Sequence, residues 1–145
     1  MPSGRWLNHF FEICEAVAKM SEDNSSGIGC VITKDRVILA TGYNGHPRGV
    51  KHRDFVSGDP EKYLYTEHAE RNAIYNAARI GVSLVGAELY VLGRPCADCA
   101  RGIIQSGIRR VYIKTEYQLH KRWKASCDAA LIMMGEADIE IILGK

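Results

Sequence analysis

The chain has 145 residues, 46% hydrophobic and 25% charged, which suits one globular domain over residues 1–145 and leaves too little core for two. A formal charge of +2 and a pI near 8.3 are too mild for a nucleic-acid surface, which needs basic residues clustered on one face. No apolar run nears the ~20 residues that cross a bilayer, no secretory signal pattern opens the chain, and five cysteines is an odd count for a disulfide framework. A soluble protein of the reducing cytoplasm, with neither membrane nor nucleic acid as partner, is expected.

From the N-terminus, Trp6, Phe10, Ile13, Cys14 and Val17 recur at helical spacing with Asn8, Glu12, Glu15 and Lys19 opposite, so an amphipathic helix comes first. Residues 21–27, with Asp23, Asn24, Ser25 and Ser26, form a loop by composition, and 28–32 read as a buried strand. Lys34-Asp35 turns into a second strand over 36–41, giving an antiparallel hairpin. Residues 42–66 carry Gly, Pro, Asn and charges without a period. A loop of that length in a compact domain is usually functional, and this one is expected to cover an active site.

A helix follows over 68–80, favoured by Ala69, Ala73, Ala77 and Ala78 and stopped by Gly81. Then come a strand at 88–92, a helix at 96–106 closed by Gly107, and a strand at 110–113. Such a unit joins parallel strands by a crossover, which places the turn before Cys96 at a strand's carboxyl end, where open α/β sheets bind ligands. Trp123, Cys127, Ala130, Leu131 and Met134 mark a last long helix ending at Gly135, and Ile139, Ile141 and Leu143 a last strand. The elements add up to an α/β sandwich.

Chemistry concentrates in His68-Ala69-Glu70 and Pro95-Cys96-Ala97-Asp98-Cys99. One imidazole and two thiolates make three ligands for zinc and leave the fourth tetrahedral position open, the mark of a catalytic site. Cys96 and Cys99, three apart at a helix start, put both sulfurs on one face, where the helix N-terminus favours thiolates. Water on such a metal has its pKa lowered from 15.7 to ~7, and Glu70, beside a ligand without being one, is placed to carry its proton. A Cys-x-x-Cys alone also fits half of a structural zinc ribbon or a redox pair. However, Cys14, Cys30 and Cys127 supply no second pair, and a redox site leaves His68 and Glu70 unused. Those three cysteines are expected in the core, His9, His46, His52 and His120 on surface or loops, and Trp123 in the core or at a subunit contact. Glu67 and Asp98 flank the motifs and are expected to point elsewhere.

His-x-Glu followed by Pro-Cys-x-x-Cys is the signature of zinc nucleobase deaminases, and over nearly its whole length the chain resembles the deoxycytidylate (dCMP) deaminases of the cytidine deaminase superfamily. The segment Thr41-Gly42-Tyr43-Asn44-Gly45-His46-Pro47-Arg48-Gly49 resembles that family's Gly-Tyr-Asn-Gly-x-Pro loop, and the run from Glu67 through Ala77 its helix. The resemblance implies a three-layer α/β/α sandwich with a five-stranded mixed sheet, hydrolysis of dCMP to dUMP and ammonia, and a homohexamer. It implies zinc on His68, Cys96 and Cys99, Glu70 as proton shuttle, Asn44 at the sugar and the Ala69 backbone at the base. It also brings in dCTP and dTTP as effectors, although the chain offers no Cys/His set for the additional structural zinc of some relatives. Family members commonly carry a basic residue shortly before the Val-Gly-Ala strand, where this chain has Asp23-Asn24-Ser25-Ser26-Gly27.

A phosphate dianion needs charge-assisted donors. Arg48, in the same loop as Asn44, is the first choice, with Lys51, His52 and Arg53 close behind. Ser25 and Ser26 add hydroxyls, and Tyr117 lies on the same rim. Against each stands the simpler reading of a solvated loop face. A tRNA adenosine deaminase shares the metal signature but calls for a basic, aromatic RNA surface, whereas the C-terminal segment carries Asp128, Glu136, Asp138 and Glu140. A small tetrameric cytidine deaminase would present Cys where His68 stands, and a non-catalytic zinc-stabilised binding module would be expected to lack Glu70. Whether plain dCMP, a 5-substituted dCMP or dCTP is the substrate is left open by the residues.

Overall fold

Strand residues alternate between two apolar faces, and that alternation sets the layers. The computed structural model describes residues 2–23, 27–56, 58–115 and 121–144. Its strands are β1 (Gly29–Lys34), β2 (Val37–Tyr43), β3 (Glu88–Val91), β4 (Arg110–Ile113) and β5 (Glu140–Leu143), and its helices α1 (Gly4–Ala18), α2 (Lys62–Tyr65), α3 (Ala69–Ile80), α4 (Ala97–Gln105) and α5 (Lys121–Glu136). On one face of the sheet Val31, Tyr90 and Tyr112 pack with Phe10, Phe11 and Cys14 of α1. On the other, Cys30, Ile32, Leu89, Val91, Val111 and Ile113 pack with the small and aliphatic residues of α3, α4 and α5. The result is the expected sandwich of helix, mixed sheet and helices.

The sheet runs β2-β1-β3-β4-β5, with β1 antiparallel to both neighbours and β3, β4 and β5 mutually parallel. Therefore β2 points the same way as the three parallel strands, and four strands end on one rim. The hairpin turn lies one residue later than Lys34-Asp35. Asp35 and Arg36 both adopt positive φ (51° and 66°), a two-residue turn that suits the strand twist, so β2 begins at Val37.

Glycine allows β2 to approach α3. A Cβ on Gly42 would lie 2.3 Å from Ala73 N and 2.4 Å from Ala69 O, so only a residue without a side chain lets this strand touch the first turns of that helix. Just beyond, Gly45 and Glu67 exchange both backbone hydrogen bonds, at 3.0 and 2.8 Å. These contacts pin the two ends of the long segment expected as loop. Within it α2 is one turn of Lys-Tyr-Leu-Tyr, too short to show a period in sequence. Among the described residues no helix is long and apolar enough to cross a membrane.

Candidate active site

His68 and Cys96 occupy the same structural position, each capping the start of a helix with extended backbone (φ −80°, ψ 155° and φ −82°, ψ 173°). Neither side chain bonds back to its own helix, so both are free to turn toward the gap between α3 and α4. Cys99 stands one turn into α4 and faces the same gap. His68 Nδ1 lies 3.3 Å from Cys96 Sγ and 3.5 Å from Cys99 Sγ, and all three donor atoms fall within 4.8 Å of one another. Nitrogen and sulfur ligands of one tetrahedral zinc should be ~3.6 Å apart, given Zn–N of about 2.0–2.1 Å and Zn–S of about 2.3 Å. The spacing and the mixed nitrogen and sulfur chemistry therefore fit that ion.

The titration of these groups follows from their crowding. The Cys96 thiol is drawn well below its ordinary range by a hydrogen bond from Cys99, burial opposing and His68 adding a second bond. Cys99 moves up in return, because its neighbour already holds the negative charge and burial penalises another. The His68 imidazole is raised by its bond to Cys96. Glu70, 5% exposed in the first turn of α3, is raised by burial, with His68 pulling the other way and Cys96 reinforcing the rise. A buried carboxyl beside the donors, its pKa raised by burial, is suited to relaying a proton.

Two flanking residues are integrated more closely than expected. Glu67 Oε1 accepts the His68 backbone N–H at 3.0 Å and pairs with Arg71 at 2.5 Å, so it braces the start of α3. Asp98 is exposed and pairs with Arg101 and, at 3.5 Å, Arg71. Cys14 and Cys30 are buried in the core as expected. Cys127 is also buried, but against Cys96 and Cys99, with Trp123 packed on the same cluster. Trp123 and Tyr63 are contacts that periodicity could not reveal. The Trp123 ring sits 5.6 Å from that of His68 and 5.4 Å from that of Tyr63 in α2. Arg94, just before the Pro-Cys motif, pairs with Asp128 of α5 at 3.1 Å.

A cavity of about 620 Å³ adjoins this rim, and its wall includes Asp23, Asn44, His46, His52, Arg53 and Lys62. Asn44, Gly45 and Thr66 line it as well, while Glu70 and the three donors lie outside its lining. Asn44 is held by Oδ1, which accepts the Ile28 N–H at 2.8 Å, and its Nδ2 donates to Asp23 at 3.3 Å. Asp23 in turn pairs with Lys62 at 2.6 Å. His52 bridges Glu22 (2.7 Å) and Asp54 (2.8 Å), and the bond to Asp54 raises its pKa. Ala69 is buried at the first position of α3, where backbone N–H groups lack helical partners. Arg48 is exposed and does not line the cavity, whereas Arg53 does. Ser25, Ser26 and Tyr117 lie outside the described residues.

Residues 4–115 match the family model of the cytidine and deoxycytidylate deaminase zinc-binding region. The chain is 37% identical over 138 residues to an uncharacterized deaminase in the luxG 3' region of Aliivibrio fischeri, covering 94% of this chain and 92% of that one. To the deoxycytidylate deaminase of Mus musculus it is 35% identical over 118 residues, 77% of this chain and 65% of the mouse protein, so it spans just under two thirds of that relative. Among solved structures, dCMP deaminase from the cyanophage S-TIM5 in complex with dCMP and dUMP superposes with a TM-score of 0.85 at 25% identity, covering 99% of each chain.

Proposed function

Because this chain belongs to the cytidine and deoxycytidylate deaminase family, we propose that it hydrolyses the 4-amino group of dCMP, giving dUMP and ammonia. The observation that carries the reading is the convergence of His68 Nδ1 and the sulfurs of Cys96 and Cys99 on one point, with Glu70 buried beside them. His68, Cys96 and Cys99 would hold zinc, which when bound supplies Lewis-acid activation of water. Glu70 would accept the proton that water gives up and deliver it to N3 of the ring as oxygen bonds to C4, then take the second proton from the new C4 hydroxyl and pass it to the leaving amine as the C4–N bond breaks. Its burial serves this role, since burial raises the carboxyl's pKa and makes it a better acceptor for the proton it relays. Asn44, fixed by the Ile28 N–H, would meet the sugar, and the Ala69 backbone would meet the base.

For the phosphate, the charges in the cavity wall favour one group. Lys62 is already neutralised by Asp23, and His52 by Glu22 and Asp54. Arg53 makes no ion pair among the described residues. One nitrogen donates to Lys51 O at 2.9 Å and its plane lies over Tyr65 at 4.2 Å, leaving further donors of the fork available. Arg53 is therefore the phosphate donor that the wall favours, with the exposed Arg48 as comparator. The test is ammonia release by purified protein from dCMP, deoxycytidine, 5-substituted dCMP, dCTP and tRNA. Preferred turnover of dCMP is expected, and preferred turnover of deoxycytidine or tRNA would replace the assignment.

A further inference from the structure

The proposed reaction leaves unused the first turns of α5, which wall one side of the donor cluster. Trp123, Ser126 and Cys127 fall at i, i+3 and i+4, hence on one helical face, and each meets a different part of the cluster. Ser126 Oγ accepts the Ala97 N–H at 2.8 Å, at the start of α4 next to Cys96. Cys127 packs against Cys96 and Cys99. Trp123 stands against the third ligand, its ring 5.6 Å from the His68 imidazole at 75° to it. On its far side Tyr63 stands edge-on at 5.4 Å and 80°, so the same indole also touches the long segment that carries α2.

What singles out Trp123 is the hydrogen bond His68 does not make. Its Nδ1 faces the two sulfurs, but among the described residues no protein carboxylate, carbonyl or hydroxyl is paired with Nε2, which is not shielded from solvent. Metal-binding histidines are ordinarily oriented by such a bond on the nitrogen away from the metal. An imidazole held through one nitrogen alone can tilt and rotate about that contact. A second ring set nearly perpendicular to it removes the freedom, in the geometry that aromatic rings prefer.

We propose that Trp123 is the positioning residue for the His68 ligand, supplying by ring-on-ring packing the orientation that a hydrogen bond to Nε2 supplies elsewhere. This rests on the reading of His68, Cys96 and Cys99 as a zinc site. A tryptophan that merely filled the core would support the fold and leave the metal affinity of folded protein unchanged.

The two roles separate in a zinc-affinity measurement by competition with a chromogenic chelator, on full-length wild type, Trp123→Phe, Trp123→Leu and Trp123→Ala, each checked for folding by circular dichroism. Trp123→Leu keeps apolar bulk without a ring and should weaken zinc binding by about 10–100-fold, the effect typical of losing a ligand's orienting partner. Trp123→Phe keeps a ring and should retain near wild-type affinity. Cobalt-substituted protein gives a second readout: the visible d–d bands should shift in Trp123→Leu and persist in Trp123→Phe. If Trp123→Ala fails to fold, the Leu and Phe pair still decides. A folded Trp123→Leu with wild-type zinc affinity and cobalt spectrum would overturn the role of Trp123 alone. Wild type that bound no zinc would instead remove the metal site on which the proposal rests.

Discussion

The imidazole Nδ1 of His68 lies 3.3 Å from the sulfur of Cys96 across 28 residues of sequence, because each residue caps a helix and the two helix starts meet on one rim of the sheet. With a single such donor set among the described residues, purified protein should carry about one zinc per chain, and Cys99→Ala should lose it. Metal analysis of both proteins checks this. Full zinc occupancy in Cys99→Ala would show that the metal sits elsewhere.

Charge in the cavity wall makes a prediction that separates two arginines. Arg53→Ala should lower kcat/KM for dCMP by ~1.5–3 kcal/mol, roughly 10–150-fold, the range for a hydrogen bond to a charged group, and should change deoxycytidine turnover little. Arg48→Ala should cost less, since Arg48 is exposed and off the cavity wall. The reverse ranking in steady-state kinetics would return the phosphate to the Gly-Tyr-Asn-Gly loop. Equal losses on nucleotide and nucleoside would mean that the Arg53 side chain only holds its segment in place through Lys51 O and Tyr65.

Gly42 is predicted to be intolerant of even one methyl group. The added carbon of Gly42→Ala meets backbone of α3 at 2.3–2.4 Å, atoms that no side-chain rotation can move aside. Strand and helix must separate, at a cost of about 1–3 kcal/mol or more, as for other overpacked sites. Asn44 lies two residues beyond, so KM for dCMP should rise as well. Urea unfolding and steady-state kinetics test both effects, and wild-type stability in Gly42→Ala would show that β2 and α3 are looser than the contacts indicate.

Features with short-range causes were legible in the sequence. Apolar spacing located α1, α5 and the strands to within a few residues, alanine content and Gly81 located α3, and the two motifs located the donors, because His68 and Cys96 had to begin helices. The Asp35-Arg36 turn shifted by one residue, since only the backbone reveals that both positions take positive φ. The pairing of Trp123 with His68 was not legible, because a tryptophan on an amphipathic face reads the same whether it meets the core or a ligand. Glu67 likewise looked like a bystander. Its hold on the His68 N–H depends on the bridge to Gly45, a contact 22 positions away in sequence. Phosphate recognition was read from charge and from Arg48 sharing a loop with Asn44, and only the cavity wall sets Arg53 apart from the exposed Arg48.

On the proposed reading, this site deaminates dCMP with Glu70 moving the proton. That reading is tested most directly by the loss of cytosine absorbance from dCMP, comparing wild type with Glu70→Gln at matched zinc content. Glu70 is buried beside the donors without being one of them, so the variant should keep its fold and zinc. The account predicts turnover by wild type and a fall of about 10²–10⁴-fold in kcat for Glu70→Gln, the loss typical of removing a general acid and base. Zinc-loaded wild type that left dCMP unchanged, or a variant within a few-fold of wild type, would contradict it.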